Sequence, residues 1–169
     1  MPEVIQRHEL ECDEDTFWTH CFFDPEYSNR LYREYLKFPG YEITSQSDVG
    51  GKSVRTVRVE PPVGSLPGPI KKVVGDRFGY VEEGTFDKAT KRYSFVIQPT
   101  VLADKTKCFG ECYCEKIGDK KVVRVLKLNC TVKMFGLGGM LEDRILQDFK
   151  SQNDKSATFT NQYLKEKNL

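Results

Sequence analysis

The chain has 169 residues, with 26 basic and 25 acidic side chains and a formal net charge of +1. Because charges of both signs are interspersed, no basic surface is expected that would attract a phosphate backbone, and we expect no nucleic-acid partner. The length suits a single domain over residues 1–169. The N-terminus lacks the order of a signal peptide and no apolar run is long enough to span a bilayer, so we expect a cytoplasmic protein.

The N-terminal region predicts one strand followed by two short helices. Residues Val4 to Glu11 alternate in character, as a strand does. Asp13 is a good N-cap for a first helix, and Asp24 with Pro25 provides the N-cap and first position of a second. The apolar faces of these helices are Phe17, Trp18, Cys21 and Phe22 in the first and Tyr27, Leu31, Tyr35 and Leu36 in the second, which we expect to end near Pro39 and Gly40.

The middle of the chain predicts an antiparallel meander, because short alternating runs are separated by Gly, Pro, Asp and Lys. In the last run, from Val122 to Met134, the even-numbered positions are mostly apolar and polar residues alternate with them. We therefore expect one dry sheet face and one largely wet face. The predicted strands are Tyr41 to Ser47, Ser53 to Val59, Phe78 to Phe86, Arg92 to Leu102, Cys108 to Ile117 and Lys121 to Phe135.

The C-terminal region predicts one long amphipathic helix, running from Leu141 towards Tyr163 after a glycine-rich break. At the helical period its apolar residues fall within a stripe of about 120°. Such a stripe is suited to covering the dry sheet face. Its members are Leu137, Leu141, Ile145, Phe149, Phe159 and Tyr163, with the polar Gln152 and Ser156 on the same stripe.

Cysteines and histidines give no sign of catalysis or metal binding. Cys108, Cys112 and Cys114 share one face of a predicted strand, but their spacing does not match a zinc site. The two histidines, His8 and His20, leave little scope for histidine-based acid and base chemistry. We predict no catalytic residue, no metal and no cofactor, and six reduced thiols.

The order of elements resembles that of the START-like or polyketide-cyclase (SRPBCC) superfamily over nearly the whole chain. The segments Asp13 to Trp18, Phe23 to Pro25, Val74 to Phe78 and Phe135 to Leu141 are similar to an uncharacterised, mainly bacterial START-like family. The resemblance implies an α+β helix-grip fold, in which a curved antiparallel sheet of about six to seven strands wraps on a long C-terminal helix. Two short helices follow the first strand in that fold.

The resemblance implies an apolar cavity between the sheet and the C-terminal helix. The first hypothesis is therefore binding or transfer of a lipid or other apolar small molecule. The alternatives are a cyclase- or hydrolase-like enzyme acting on a polyketide-like or aromatic substrate, with Tyr, Glu or Arg moving protons, and a scaffold whose own aromatic residues fill the cavity. The predicted ligand contacts are Phe78, Tyr80, Phe95, Leu126, Leu128, Leu141, Ile145 and Phe149, with Arg124 and Gln152 as polar contacts.

Arg124 is the one charged residue on the predicted dry face of its strand. A buried charge is costly unless it is paired. Three interpretations remain open: a position near the sheet edge, a salt bridge to a residue such as Glu82, or contact with a polar part of a ligand.

The segment from Pro61 to Gly75, here termed the cover segment, is rich in proline and glycine and cannot be a central strand. Its apolar residues include Leu66 and Ile70, which are the predicted gate of the cavity and are expected to contact ligand or membrane. Lys71 and Lys72 would add a transient contact with an anionic membrane surface. A packed cover over the sheet edge is the competing interpretation.

Overall fold

The computed structural model describes residues 1–169 and contains one sheet of seven strands, in the order β1-β7-β6-β5-β4-β3-β2. Every neighbouring pair is antiparallel, as the alternating runs predict. The strands are β1 (Glu3–Leu10), β2 (Gly40–Val49), β3 (Lys52–Glu60), β4 (Tyr80–Asp87), β5 (Arg92–Pro99), β6 (Thr106–Gly118) and β7 (Lys121–Val132).

Two short helices, α1 (Glu14–Thr16) and α2 (Pro25–Asn29), follow β1, and each continues into a π-helical turn. Both predicted N-caps are confirmed: Asp13 accepts from the Thr16 amide at 2.7 Å, and Asp24 accepts from the Glu26 amide at 2.8 Å. The second π-helical turn ends at Tyr35, earlier than predicted, because the chain reverses through Lys37 with a φ of 59°. The remaining helices are α3 (Gly68–Val74), a 3-10 turn (Ala103–Lys105) and α4 (Gly138–Glu166).

Helix α4 lies against the inner face of the sheet and contacts β1 and β7. Its C-terminal half is buried through Phe159, Tyr163 and neighbouring residues, and the hydroxyl groups of Tyr27 and Thr160 are hydrogen bonded at 2.6 Å. In the middle of the predicted stripe, Ile145 is only half-buried. The C-terminal half of the helix is therefore packed, and its N-terminal half, from Leu141 to Gln152, borders open space. None of the helices offers a stretch suited to crossing a bilayer.

The predicted dry face of β7 is confirmed, since the even-numbered residues from Val122 to Val132 are buried. The expectation of a largely wet outer face is wrong for Val123 and Val125, which are 8% and 0% exposed. Arg7 on β1 and Glu115 on β6 form an ion pair, and these strands flank β7 on either side. The pair must cross over β7, where it covers the two valines.

The six cysteines form no disulfide bond in this structure. Burial raises the pKa of Cys12 to about 11 and that of Cys112 to about 12, so both thiols remain protonated at neutral pH. We expect the native protein to react slowly with iodoacetamide at pH 8 and the denatured, unreduced protein to be alkylated at all six sites. Mass spectrometry gives the count. Fewer than six alkylated sites in denaturant would reveal a disulfide bond.

Candidate ligand-binding cavity

An apolar cavity of about 140 Å³ lies between the sheet, helix α4 and the cover segment. The side chains that line it come from β4, β5, β6, β7, α3, α4 and the loops between them, so the space forms only when distant parts of the chain meet. We call this space the apolar compartment. Its lining includes Pro61, Leu66, Ile70, Val74, Phe78, Ile97, Leu128, Leu141 and Ile145.

A second cavity of about 100 Å³ adjoins the first and reaches towards α1 and α2. Its lining is more polar, because it includes Arg55, Glu82 and Arg124. We call it the polar compartment. The two compartments share the lining residues Tyr80, Ile97, Phe149 and Gln152.

Every predicted ligand contact borders one or both compartments, because strand and helix periodicity place these residues on the inner face. Whether they contact a ligand stays a prediction. Phe78, Leu128, Leu141 and Ile145 border the apolar compartment, Phe95, Arg124 and Leu126 the polar compartment, and Tyr80, Phe149 and Gln152 both.

Arg55, Glu82 and Tyr93 form a cluster on the sheet side of the polar compartment. The Tyr93 hydroxyl donates to Glu82 Oε1 at 2.7 Å, and an Arg55 guanidinium nitrogen lies 3.9 Å from the same oxygen. Burial, assisted by the Glu82 carboxylate, raises the pKa of Tyr93 above its usual value, so the phenol remains a proton donor. A Cβ atom at Gly84 would lie 1.8 Å from the Tyr93 hydroxyl oxygen, so glycine is required where this ring crosses β4.

Arg124 is not at a sheet edge and is not paired with Glu82. It donates to Ser156 Oγ at 3.0 Å, to the Asn153 carbonyl at 3.1 Å and to His8 Nδ1 at 3.1 Å. Because His8 Nδ1 accepts, its proton lies on Nε2, which is 2.9 Å from Asp154. Burial lowers the pKa of His8, which also favours the neutral ring. Arg124 therefore joins β7 to β1 and α4.

Arg55 is not among the predicted ligand contacts, although its position on β3 carries the same signal as that of Arg124 on β7. Because alternate residues of a strand face the same side of a sheet, Arg55 lies on the same face as the buried Val57 and Val59. On β4, Glu82 lies on the same face as Tyr80. Both residues are therefore charges on the inner face of the sheet, as Arg124 is, and a charge in that position is costly without a role.

The cover segment packs over the apolar compartment and is tethered to α4. Arg144 donates to the carbonyl oxygens of Ser65 at 3.1 Å and Val63 at 3.0 Å. Ile70 is 2% exposed and borders the cavity, whereas Leu66 is half-buried. The side chain of Ile70 therefore faces the cavity in this conformation, and its contact with ligand or membrane stays a prediction. Its role as a gate stays a prediction.

One protein family, described as "Protein of unknown function (DUF2505)", matches residues 6–164. The chain belongs to this family. The expected relation to an uncharacterised START-like family is thereby confirmed. No curated protein matches the sequence.

Solved structures share the fold of this DUF2505 member at low sequence identity. The Zhui aromatase/cyclase from Streptomyces sp. R1128 has a TM-score of 0.68 at 12% identity, with 99% of this chain and 96% of that chain covered. Norcoclaurine synthase from Thalictrum flavum, in complex with dopamine and hydroxybenzaldehyde, has a TM-score of 0.64 at 14% identity over 98% and 87%. A START superfamily protein from Mycobacterium smegmatis has a TM-score of 0.61 at 13% identity over 97% of each chain. The helix-grip fold is confirmed.

Replacing Arg144 with glutamine is expected to loosen the cover segment, because the shorter side chain lacks the guanidinium and loses the two tethering hydrogen bonds. Amide exchange at Lys71 and Gly75, whose amides bond within α3, should accelerate about ten-fold. Hydrogen exchange measured by mass spectrometry tests this, with the exposed Lys150→Gln on the same helix as the control. Unchanged exchange in α3 would mean that apolar packing alone holds the segment.

Proposed function

We propose that this protein binds an apolar small molecule in the apolar compartment, with one end of the ligand reaching the polar compartment. The supporting observation is internal apolar space that eleven Phe and eight Tyr do not fill. Protein interiors are normally close-packed, so apolar space of about 140 Å³ weighs against a solid scaffold and is understandable where the space serves a ligand.

The size of the space favours a compact ligand. A dry cavity of about 150 Å³ is known to admit benzene. By that measure the apolar compartment suits one ring, and the two compartments together suit one to two rings or a short aliphatic chain. Norcoclaurine synthase, which shares the fold, binds dopamine and hydroxybenzaldehyde in its crystal structure, and both are one-ring molecules.

Carriage of a larger lipid requires the cover segment to move away from α4. Lys71 and Lys72 are exposed on α3, where they are free to approach an anionic membrane surface while the segment opens. Transfer between membranes is thus the more demanding form of the proposal, since it needs the Arg144 tethers to break.

A second candidate function is catalysis on a polyketide-like or aromatic substrate. The observation that favours it is the Glu82, Tyr93 and Arg55 cluster, where a carboxylate able to accept a proton lies beside a phenol and a guanidinium. A substrate seated in the apolar compartment would present its other end to this cluster. Glu82→Gln should then abolish turnover and leave binding intact, whereas a carrier would show no turnover in either protein.

Native mass spectrometry of freshly purified protein, followed by solvent extraction, tests the binding proposal. We expect a compact apolar compound that adds mass to the native protein and is lost on denaturation. Protein that carries nothing and takes up neither naphthalene nor a fluorescent lipid would contradict binding. A bound compound that changes chemically during incubation would favour catalysis, the second candidate function, over binding alone.

A further inference from the structure

The polar compartment contains two buried guanidinium groups that are poorly neutralised. Arg55 and Arg124 are each 4% exposed, and both border this compartment. The Nε atom of each is buried and has no hydrogen-bond partner. Buried polar groups nearly always have a hydrogen-bond partner. Buried donors without a partner, on residues that border a cavity, therefore call for an explanation.

The charges around this compartment do not balance. The three acceptors of Arg124 are all neutral: a serine hydroxyl, a backbone carbonyl and the Nδ1 atom of His8. Glu82 is the carboxylate that borders the compartment, and it lies 3.9 Å from Arg55. Among the residues that border the compartment, two guanidinium groups and one carboxylate therefore leave one positive charge in excess. Asp154 lies outside this lining and is linked to Arg124 only through the neutral ring of His8.

Arg55 is the less satisfied of the two. Arg124 is held by three hydrogen bonds that join β7 to β1 and α4, whereas Arg55 makes one long bond, to the Phe22 carbonyl at 3.4 Å. Its guanidinium lies over the Phe22 ring, 4.4 Å from the centroid, which fixes the plane of the group without supplying an acceptor. A planar guanidinium with spare donors fits a carboxylate.

We propose that the ligand is an amphipathic monoanion whose acid group binds Arg55. The inference rests on the proposed binding function and specifies the class of ligand: a compact aromatic or aliphatic carboxylic acid. Its apolar body extends from the apolar compartment past the shared residues Phe149 and Gln152, and its carboxylate reaches Arg55 in the polar compartment. The carboxylate supplies the missing negative charge and accepts hydrogen bonds from the spare N–H groups.

Isothermal titration calorimetry at pH 7.5 with naphthalene-2-carboxylate and its neutral isostere naphthalene-2-carboxamide tests the inference. The carboxylate should bind at least about ten-fold more tightly than the amide. Arg55→Gln should remove this preference, because it should weaken binding of the carboxylate much more than binding of the amide. Arg58→Gln, on the exposed face of the same strand, is the matched control and should keep the preference.

The outcomes separate this inference from the function on which it rests. Equal affinities for acid and amide in the wild-type protein would overturn the anionic ligand and leave apolar binding in place. Binding of neither probe would remove both. If Arg55→Gln fails to fold, Arg55→Lys keeps the charge but loses the planar fork, and it should weaken acid binding more than amide binding. An unchanged preference in Arg55→Lys would overturn the assignment to Arg55.

Discussion

Replacing Gly110 with alanine should lower the free energy of unfolding by about 3 kcal/mol. A Cβ atom at this position would lie 2.0 Å from the Lys127 carbonyl oxygen and 2.6 Å from Cζ of Phe95. Neither neighbour can move cheaply, because one is the backbone of β7 and the other is a ring that is 6% exposed. The substitution should therefore separate β6 from β7 at the wall of the polar compartment.

Urea denaturation measures this loss, with Gly139→Ala as the control. Gly139 lies in the first turn of α4 and a Cβ atom there meets nothing within 4 Å. Alanine at this helical position is expected to stabilise the protein by up to about 1 kcal/mol. Equal effects at the two positions would mean that β6 and β7 do not approach each other as described.

Replacing Ile145 with tryptophan should block the apolar compartment. The larger side chain adds roughly 60 Å³ to a space of about 140 Å³. We expect binding of naphthalene-2-carboxamide to weaken more than about ten-fold. Stability should rise by about 1 kcal/mol, because the ring fills part of an existing void. Weaker binding together with higher stability in the same variant is what a cavity that serves a ligand predicts.

The exposed residue Gln147 on the same helix provides the matched control, since Gln147→Trp adds an indole outside the cavity. Calorimetry and urea denaturation of the two variants give both quantities. Undiminished binding in a folded Ile145→Trp protein would place the ligand outside the apolar compartment.

Periodicity alone predicted which residues face inward. A period of two on β7 placed Leu128 on the dry face, and the helical period placed Ile145 opposite the sheet on α4. Periodicity does not say whether two inward faces touch or leave a gap. That depends on sheet curvature and on the path of the cover segment. Arg144 holds this segment through the backbone carbonyls of Ser65 and Val63, which lie 79 and 81 positions away from it along the chain.

Charge partners were the least predictable part of the site. The sequence marked Arg124 as a costly charge on a dry face, but its partners His8 and Ser156 lie 116 and 32 residues away along the chain. The suggested partner, Glu82, instead lies beside Arg55. Pairing of charged side chains across a sheet depends on the order of its strands. The residue that lies opposite a given position is defined only once the neighbouring strand is known.

Nuclear Overhauser contacts between bound naphthalene-2-carboxamide and methyl-labelled protein test the internal cavity most directly. Contacts are expected from the probe to the methyl groups of Ile97, Leu128 and Ile145, which border the apolar compartment. Ile5 and Ile117, which are 53% and 49% exposed, provide reference methyl groups and should show none. Contacts confined to the exposed isoleucines, or none from a probe that saturates the protein, would contradict ligand binding between the sheet and α4.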